Sequence, residues 1–241
     1  MIVDEPIEAL PETTEASDIT FGDKRYKWLV IAGICLALMI RPYLGQLFLI
    51  WDMSYVQRII MSEMMEWVVT GVMFLYAWHA EGTDFFLWKE KKYNAGFFIG
   101  SVIVVFLMYM GASFIARIPS ILGFHEKNDL VHKLAAVLET YPMLLVGVCI
   151  TAGIIEEFIF RGYILSRLSL FFKNKHWPVI ISALIFASVH LAYKTVHELI
   201  FVFLIGLIFG YYYQRYRNLT VLIIVHFCID LIAFTAYHPH K

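Results

Sequence analysis

Residues 153–165 read GIIEEFIFRGYIL, which sets Glu156, Glu157 and Arg161 inside a run that is otherwise almost wholly apolar. An ionisable side chain deep in hydrocarbon costs on the order of 2.5 to 3.5 kcal/mol on insertion scales, so each one calls for a partner or a function. Glu157 and Arg161 are four residues apart, on one face of a helix, with the acid N-terminal to the base as an intrahelical pair prefers. They read as a supporting ion pair. Glu156 is rotated about 100° from Glu157 around the helix, off that arginine's geometry, and reads as the functional carboxylate of the two.

Working outward, 60% of the 241 residues are hydrophobic, 16% are charged and the mean hydropathy is +0.70. That is membrane-protein composition. Spanning helices need about 20 mostly apolar residues, and seven segments qualify: roughly 28–51, 61–80, 95–116, 134–165, 177–193, 196–213 and 219–237. The fourth is too long for one straight span, and Pro142 within it predicts a separate short helix ending near Tyr141. The expected fold is therefore all-α, a polytopic transmembrane bundle of seven to eight helices. Residues 1–25, rich in acids and carrying two prolines, read as a disordered tail rather than a signal peptide. Residues 26–241 form the membrane-embedded domain, whose motif-bearing core is 142–237.

Lys24, Arg25, Lys27, Lys89, Lys91, Lys92, Arg167, Lys173, Lys175, Arg215 and Arg217 fall on one side of the predicted spans and outnumber the basic residues of the other side. This bias places the N-terminus in the cytoplasm. The formal net charge of −1, with no basic arm, argues against a nucleic-acid partner. Cys35, Cys149 and Cys228 lie in apolar segments, so they read as small buried hydrophobes rather than as disulfides or thiolate ligands.

Three more places hold polar groups in apolar surroundings: His190 in FASVH (186–190), His226 with Asp230 in HFCID (226–230), and Glu63 with Glu66 in MSEMMEW (61–67). Counting about 1.5 Å per residue along each span brings Glu156, His190, His226 and Asp230 to one layer of the bilayer. Two chemistries suit such a set. His190, His226, Asp230 and Glu156 can ligate zinc with an open water position, or Glu156 can act as general base while the imidazoles steer water and stabilise an oxyanion. Both end in hydrolysis. Glu63 and Glu66 are read as interfacial, as are His125, His132, His176, the His197-Glu198 pair and the histidines at 238 and 240. Gly153 and Gly162 read as points where helices approach closely.

The three motifs EEFIFR (156–161), FASVH and HFCID, in this order on separate predicted spans, resemble those of the CPBP family of intramembrane proteases, also called the CAAX protease and bacteriocin-processing, or Abi, family. Its pattern is EExxxR, FxxxH and HxxxN or HxxxD. The resemblance covers about 142–237 and implies an endopeptidase acting on a peptide or membrane-anchored protein substrate within the lipid bilayer. Residue by residue, it implies that Glu156 activates water, that Glu157 and Arg161 support the site, and that His190 and His226 orient water and polarise the scissile carbonyl. Asp230 stands where the eukaryotic CAAX endopeptidase has an Asn acting on the oxyanion. Phe186 is expected to shape the pocket wall. Although the family was long labelled metalloprotease, the resemblance favours a glutamic mechanism with no cofactor, zinc being the alternative. A different class of function, a proton-coupled transporter or immunity-type membrane protein, would also use buried acids and histidines. The broken-helix repeat pair common in transporters is not visible in the sequence.

Overall fold

The computed structural model describes residues 24–47, 52–124 and 129–236, and every regular element among them is helical. In chain order the longer ones are α1 (Lys24–Leu47), α2 (Tyr55–Tyr76, prolonged by a π-helical turn Ala77–Glu81), α3 (Ala95–Ala116, followed by a short helical turn Ile118–Ile121), α4 (Asp129–Thr140), α5 (Pro142–Glu156), α6 (His176–Ser188), α7 (Val196–Tyr216) and α8 (Leu219–Ala236). Helix α5 continues without a break through a π-helical segment, Glu157–Leu165, and a last turn, Ser166–Leu168. The acidic tail, His125 and the histidines at 238 and 240 lie outside the described residues.

Local chemistry sets these boundaries. Ser54 and Gln57 form a reciprocal capping box at the start of α2, and Asn94, Thr195 and Asn218 each accept a backbone N–H in the first turn of α3, α7 and α8. Pro142 sits in the first turn of α5, where its missing N–H costs nothing, and divides α4 from α5. The apolar run expected over 134–165 is thus two helices, as its proline predicts, and the second extends three residues further, to Leu168. Five helices are long and apolar enough to cross a membrane: Tyr55–Glu81, Ala95–Ile121, Pro142–Leu168, Val196–Tyr216 and Leu219–Ala236. Of these, Pro142–Leu168 has 56% of its apolar window buried, well above the others, which makes α5 the central helix of the bundle. The outward face of α3 is apolar, with Ile99, Leu107 and Phe114 exposed as a lipid-facing helix requires.

Two expectations are corrected. The segment expected to run helically over 177–193 ends at Ser188, after 13 residues or about 20 Å. The chain then turns through Leu191–Tyr193 and a left-handed Lys194 into the Thr195 cap of α7. His190 therefore stands past a helix end within the bundle rather than along a full span. Cysteine burial differs as well: Cys149 is buried, whereas Cys35 is exposed on the outside of α1.

Arg167, expected in a solvent loop, is fully buried in the last turn of α5. Its Nε and Nη2 donate to Glu81 Oε2 at 2.8 and 2.6 Å, and its Nη1 donates to the Phe85 carbonyl at 2.8 Å. The Tyr163 hydroxyl donates to the other oxygen of Glu81, and the guanidinium lies over the Tyr163 ring. This cluster ties the end of α2 to the end of α5. A buried charge needs such pairing, and the sequence hides it because Glu81 and Arg167 are 86 residues apart.

Candidate active site

Helix α5 lies against α8 along Gly153, where an added Cβ would come 3.2 Å from the Ile223 carbonyl oxygen and 3.3 Å from the Phe227 nitrogen. That close approach brings Glu157, at the start of the π-helical segment, to His226 of α8. One carboxylate oxygen, Glu157 Oε1, accepts from Arg161 Nη1 at 2.8 Å and from His226 Nδ1 at 2.8 Å. Because that oxygen also takes an arginine proton, it is a carboxylate acceptor, and the His226 Nδ1 is the donor. The Nε2 of His226 consequently faces Asp230 Oδ2 at 3.6 Å and Glu156 Oε2 at 3.9 Å.

His190 repeats this arrangement from the opposite wall. Its Nδ1 lies 2.7 Å from the Phe186 carbonyl oxygen, which can only accept, so Nδ1 carries the proton. The Nε2 of His190 then points to Glu156 Oε2, again at 3.9 Å. Two imidazole nitrogens thus converge on one carboxylate oxygen of a residue that is 4% exposed. A gap of 3.9 Å is too wide for a direct hydrogen bond.

Arg161 is enclosed as well as paired. Its guanidinium lies 4.5 Å from the Phe186 ring centre and 5.1 Å from that of Phe209, so aromatic faces cover a charge whose carboxylate partner is Glu157. Phe186 does more than line a wall: its ring packs on Arg161 and its carbonyl fixes His190. Phe209, which lies on α7 and outside every motif, is the aromatic the sequence did not single out.

Glu156, His190, His226 and Asp230 all open onto one cavity of about 320 Å³, between α2, α4, α5, α6, α7 and α8. Glu63, Glu66 and Glu198 line it too. They reach it from α2 and from the first turn of α7. Among the described residues, no three His, Cys, Asp or Glu side chains are placed together to hold a metal ion. The Nδ1 atoms of both histidines are bonded to protein acceptors, which leaves their Nε2 atoms facing the cavity.

The helical bundle thus holds a carboxylate between two imidazoles in an internal cavity. Residues 138–232 match the family model described as type II CAAX prenyl endopeptidase Rce1-like. The match begins in α4 and ends in α8, covering Glu156, His190, His226 and Asp230. No curated protein and no solved structure gives a match.

Proposed function

We propose that the chain is an intramembrane endopeptidase of glutamic type, in which Glu156 activates the attacking water. The observation that carries this reading is the convergence of His190 Nε2 and His226 Nε2 on Glu156 Oε2, each at 3.9 Å. A water on the cavity side of Glu156 donates one proton toward Glu156, which is the general-base contact, and the other toward the unprotonated Nε2 of His190. Attack on a peptide carbonyl forms a C–O bond and moves charge onto the carbonyl oxygen. When His226 carries its second proton, its Nε2–H is the donor for that oxyanion, with Glu157 holding the ring from the other side. Asp230, beside the same Nε2, adds a second donor only in its protonated form. Collapse of the intermediate breaks the C–N bond, and the proton taken up by Glu156 passes to the leaving amine.

The test is cleavage of a lipid-anchored peptide library by the detergent-purified chain, with Glu156→Gln and with a chelator in parallel. Cleavage that resists chelation and disappears in Glu156→Gln supports the reading. Loss of cleavage on chelation with recovery on zinc addition replaces it with a metal mechanism, and equal cleavage by wild type and Glu156→Gln removes proteolysis at this site altogether.

A further inference from the structure

The bundle has two unlike ends. At one of them the linkers between helices are bonded to one another. The Lys91 N–H donates to the Arg217 carbonyl at 2.9 Å, Asn218 Nδ2 donates to the Lys91 carbonyl, the Leu219 N–H donates to the Glu90 carboxylate, and Gln214 Nε2 donates to the Lys175 carbonyl. The start of α1 belongs to this end too, since the Tyr76 hydroxyl donates to the Leu29 carbonyl. The same end is sealed. Every residue from Ile159 to Leu168 is buried, and the cluster of Glu81, Tyr163 and Arg167 ties α2 to the continuation of α5 there.

The cavity keeps to the other end. Its lining runs no further than Glu66 on α2, Glu156 on α5 and Ile205 on α7, and on α6 and α8, which run the opposite way, it begins only at Phe186 and His226. Glu156, His190 and His226 therefore form its floor. Helix α4 stands at the mouth: its 12 residues, about 18 Å, are too few to span a bilayer. Val131 and Leu134 of α4 line the cavity, while Lys133 is exposed and lies over the Tyr55 ring at the start of α2. Charge distinguishes the two ends as well. Lys24, Arg25, Lys27, Lys89, Lys91, Lys92, Lys173, Lys175, Arg215 and Arg217 gather at the sealed end, against Arg58, Arg117, Lys133 and Lys194 near helix ends at the open one, among the described residues. Short loops rich in Lys and Arg stay in the cytoplasm. Resting on the endopeptidase reading, we propose that the sealed end faces the cytoplasm and that the active site is entered from the extracytoplasmic side alone. Its substrate is then a peptide segment presented at that outer face, not a cytoplasmic one.

Access can be read without a substrate. Sealed membrane vesicles carrying the full chain, either right-side-out or inside-out, are treated with a membrane-impermeant sulfonated thiosulfonate, and the wild-type chain gives the background from Cys35, Cys149 and Cys228. Lys173→Cys, in the linker after α5, reports orientation. Ala152→Cys, one turn before Glu156, and Ala233→Cys, on α8, both report entry to the cavity, and either one decides if the other is unstable. Because a thiol reacts where water reaches it and is inert when buried in apolar surroundings, Lys173→Cys should react about tenfold faster in inside-out vesicles and the two cavity variants about tenfold faster in right-side-out ones. The lipid-anchored peptide library, added outside, should be cleaved by right-side-out vesicles and spared by inside-out ones. Equal or faster reaction of the cavity variants in inside-out vesicles overturns the proposal, as does reaction of Lys173→Cys from the outer face. Cleavage by the detergent-purified chain would in that case keep the protease reading intact. Outer access with no cleavage in any preparation supports the direction of entry and counts against proteolysis.

Discussion

Glu157 Oε1 accepts from both Arg161 and His226 at 2.8 Å, and this shared oxygen sets the expected behaviour of each neighbouring side chain. Glu156 contributes no atom to the Arg161–Glu157–His226 bonds, and Gln keeps its shape, so Glu156→Gln should fold and accumulate as the wild type does. Its cleavage should fall by about a thousandfold or more, the upper range for loss of a general base. Arg161→Ala is the opposite case. It leaves the fully buried Glu157 carboxylate with one donor fewer and removes the cation between Phe186 and Phe209, so it should cost about 3 to 5 kcal/mol of stability, read as reduced folded protein and a lower Tm. Asp230 distinguishes two protonation states: if it acts as a protonated donor, Asp230→Asn keeps cleavage within about tenfold of wild type, whereas Asp230→Ala loses about a hundredfold. These four motif positions are legible in the sequence because a charge in an apolar run is conspicuous by itself. The Glu157–His226 bond is not, since only the packing of α5 on α8 decides which of two adjacent acids meets the imidazole.

At the scale of elements, position depends on where helices end and how closely they approach. Helix α6 stops at Ser188, and the turn that follows lets His190 bond back to the Phe186 carbonyl; an uninterrupted helix would commit that carbonyl to the backbone N–H of His190 itself. The sequence gives no strong stop signal there, because the apolar pattern runs on through Leu191 to Tyr193. The π-helical course of Glu157–Leu165 is equally hidden; such segments recur at functional sites and depend on tertiary packing. Gly153, by contrast, is readable as a contact point, and its consequence is testable. In Gly153→Val the new side chain meets backbone atoms of α8 at 3.2 to 3.3 Å, which have little room to yield. Separation of α5 from α8 should then lower stability by about 1 to 3 kcal/mol and lengthen the Glu157–His226 bond, measured as a Tm decrease together with a fall in kcat.

Across the whole molecule, the predicted bundle and the order of its helices follow from hydropathy and one proline, while the side chains that lock the bundle do not. Arg167 shows why. A basic residue near the end of an apolar run suggests a cytoplasmic loop, yet the central helix α5 carries it inside to meet Glu81, Tyr163 and the Phe85 carbonyl. An exposed loop arginine would change stability by no more than about 0.5 kcal/mol on substitution. Arg167→Met instead removes the cation facing a fully buried Glu81, and a loss of about 3 to 5 kcal/mol is expected, read from thermal unfolding in detergent. The double variant Glu81→Gln/Arg167→Met removes the stranded charge as well as its partner, so it should recover much of that loss, whereas two independent surface sites would simply add. Recovery in the double variant would establish that α2 and α5 are joined by a charge pair, and that the helices carrying Glu63, Glu66 and Glu156 are held in one frame from the far end of the bundle.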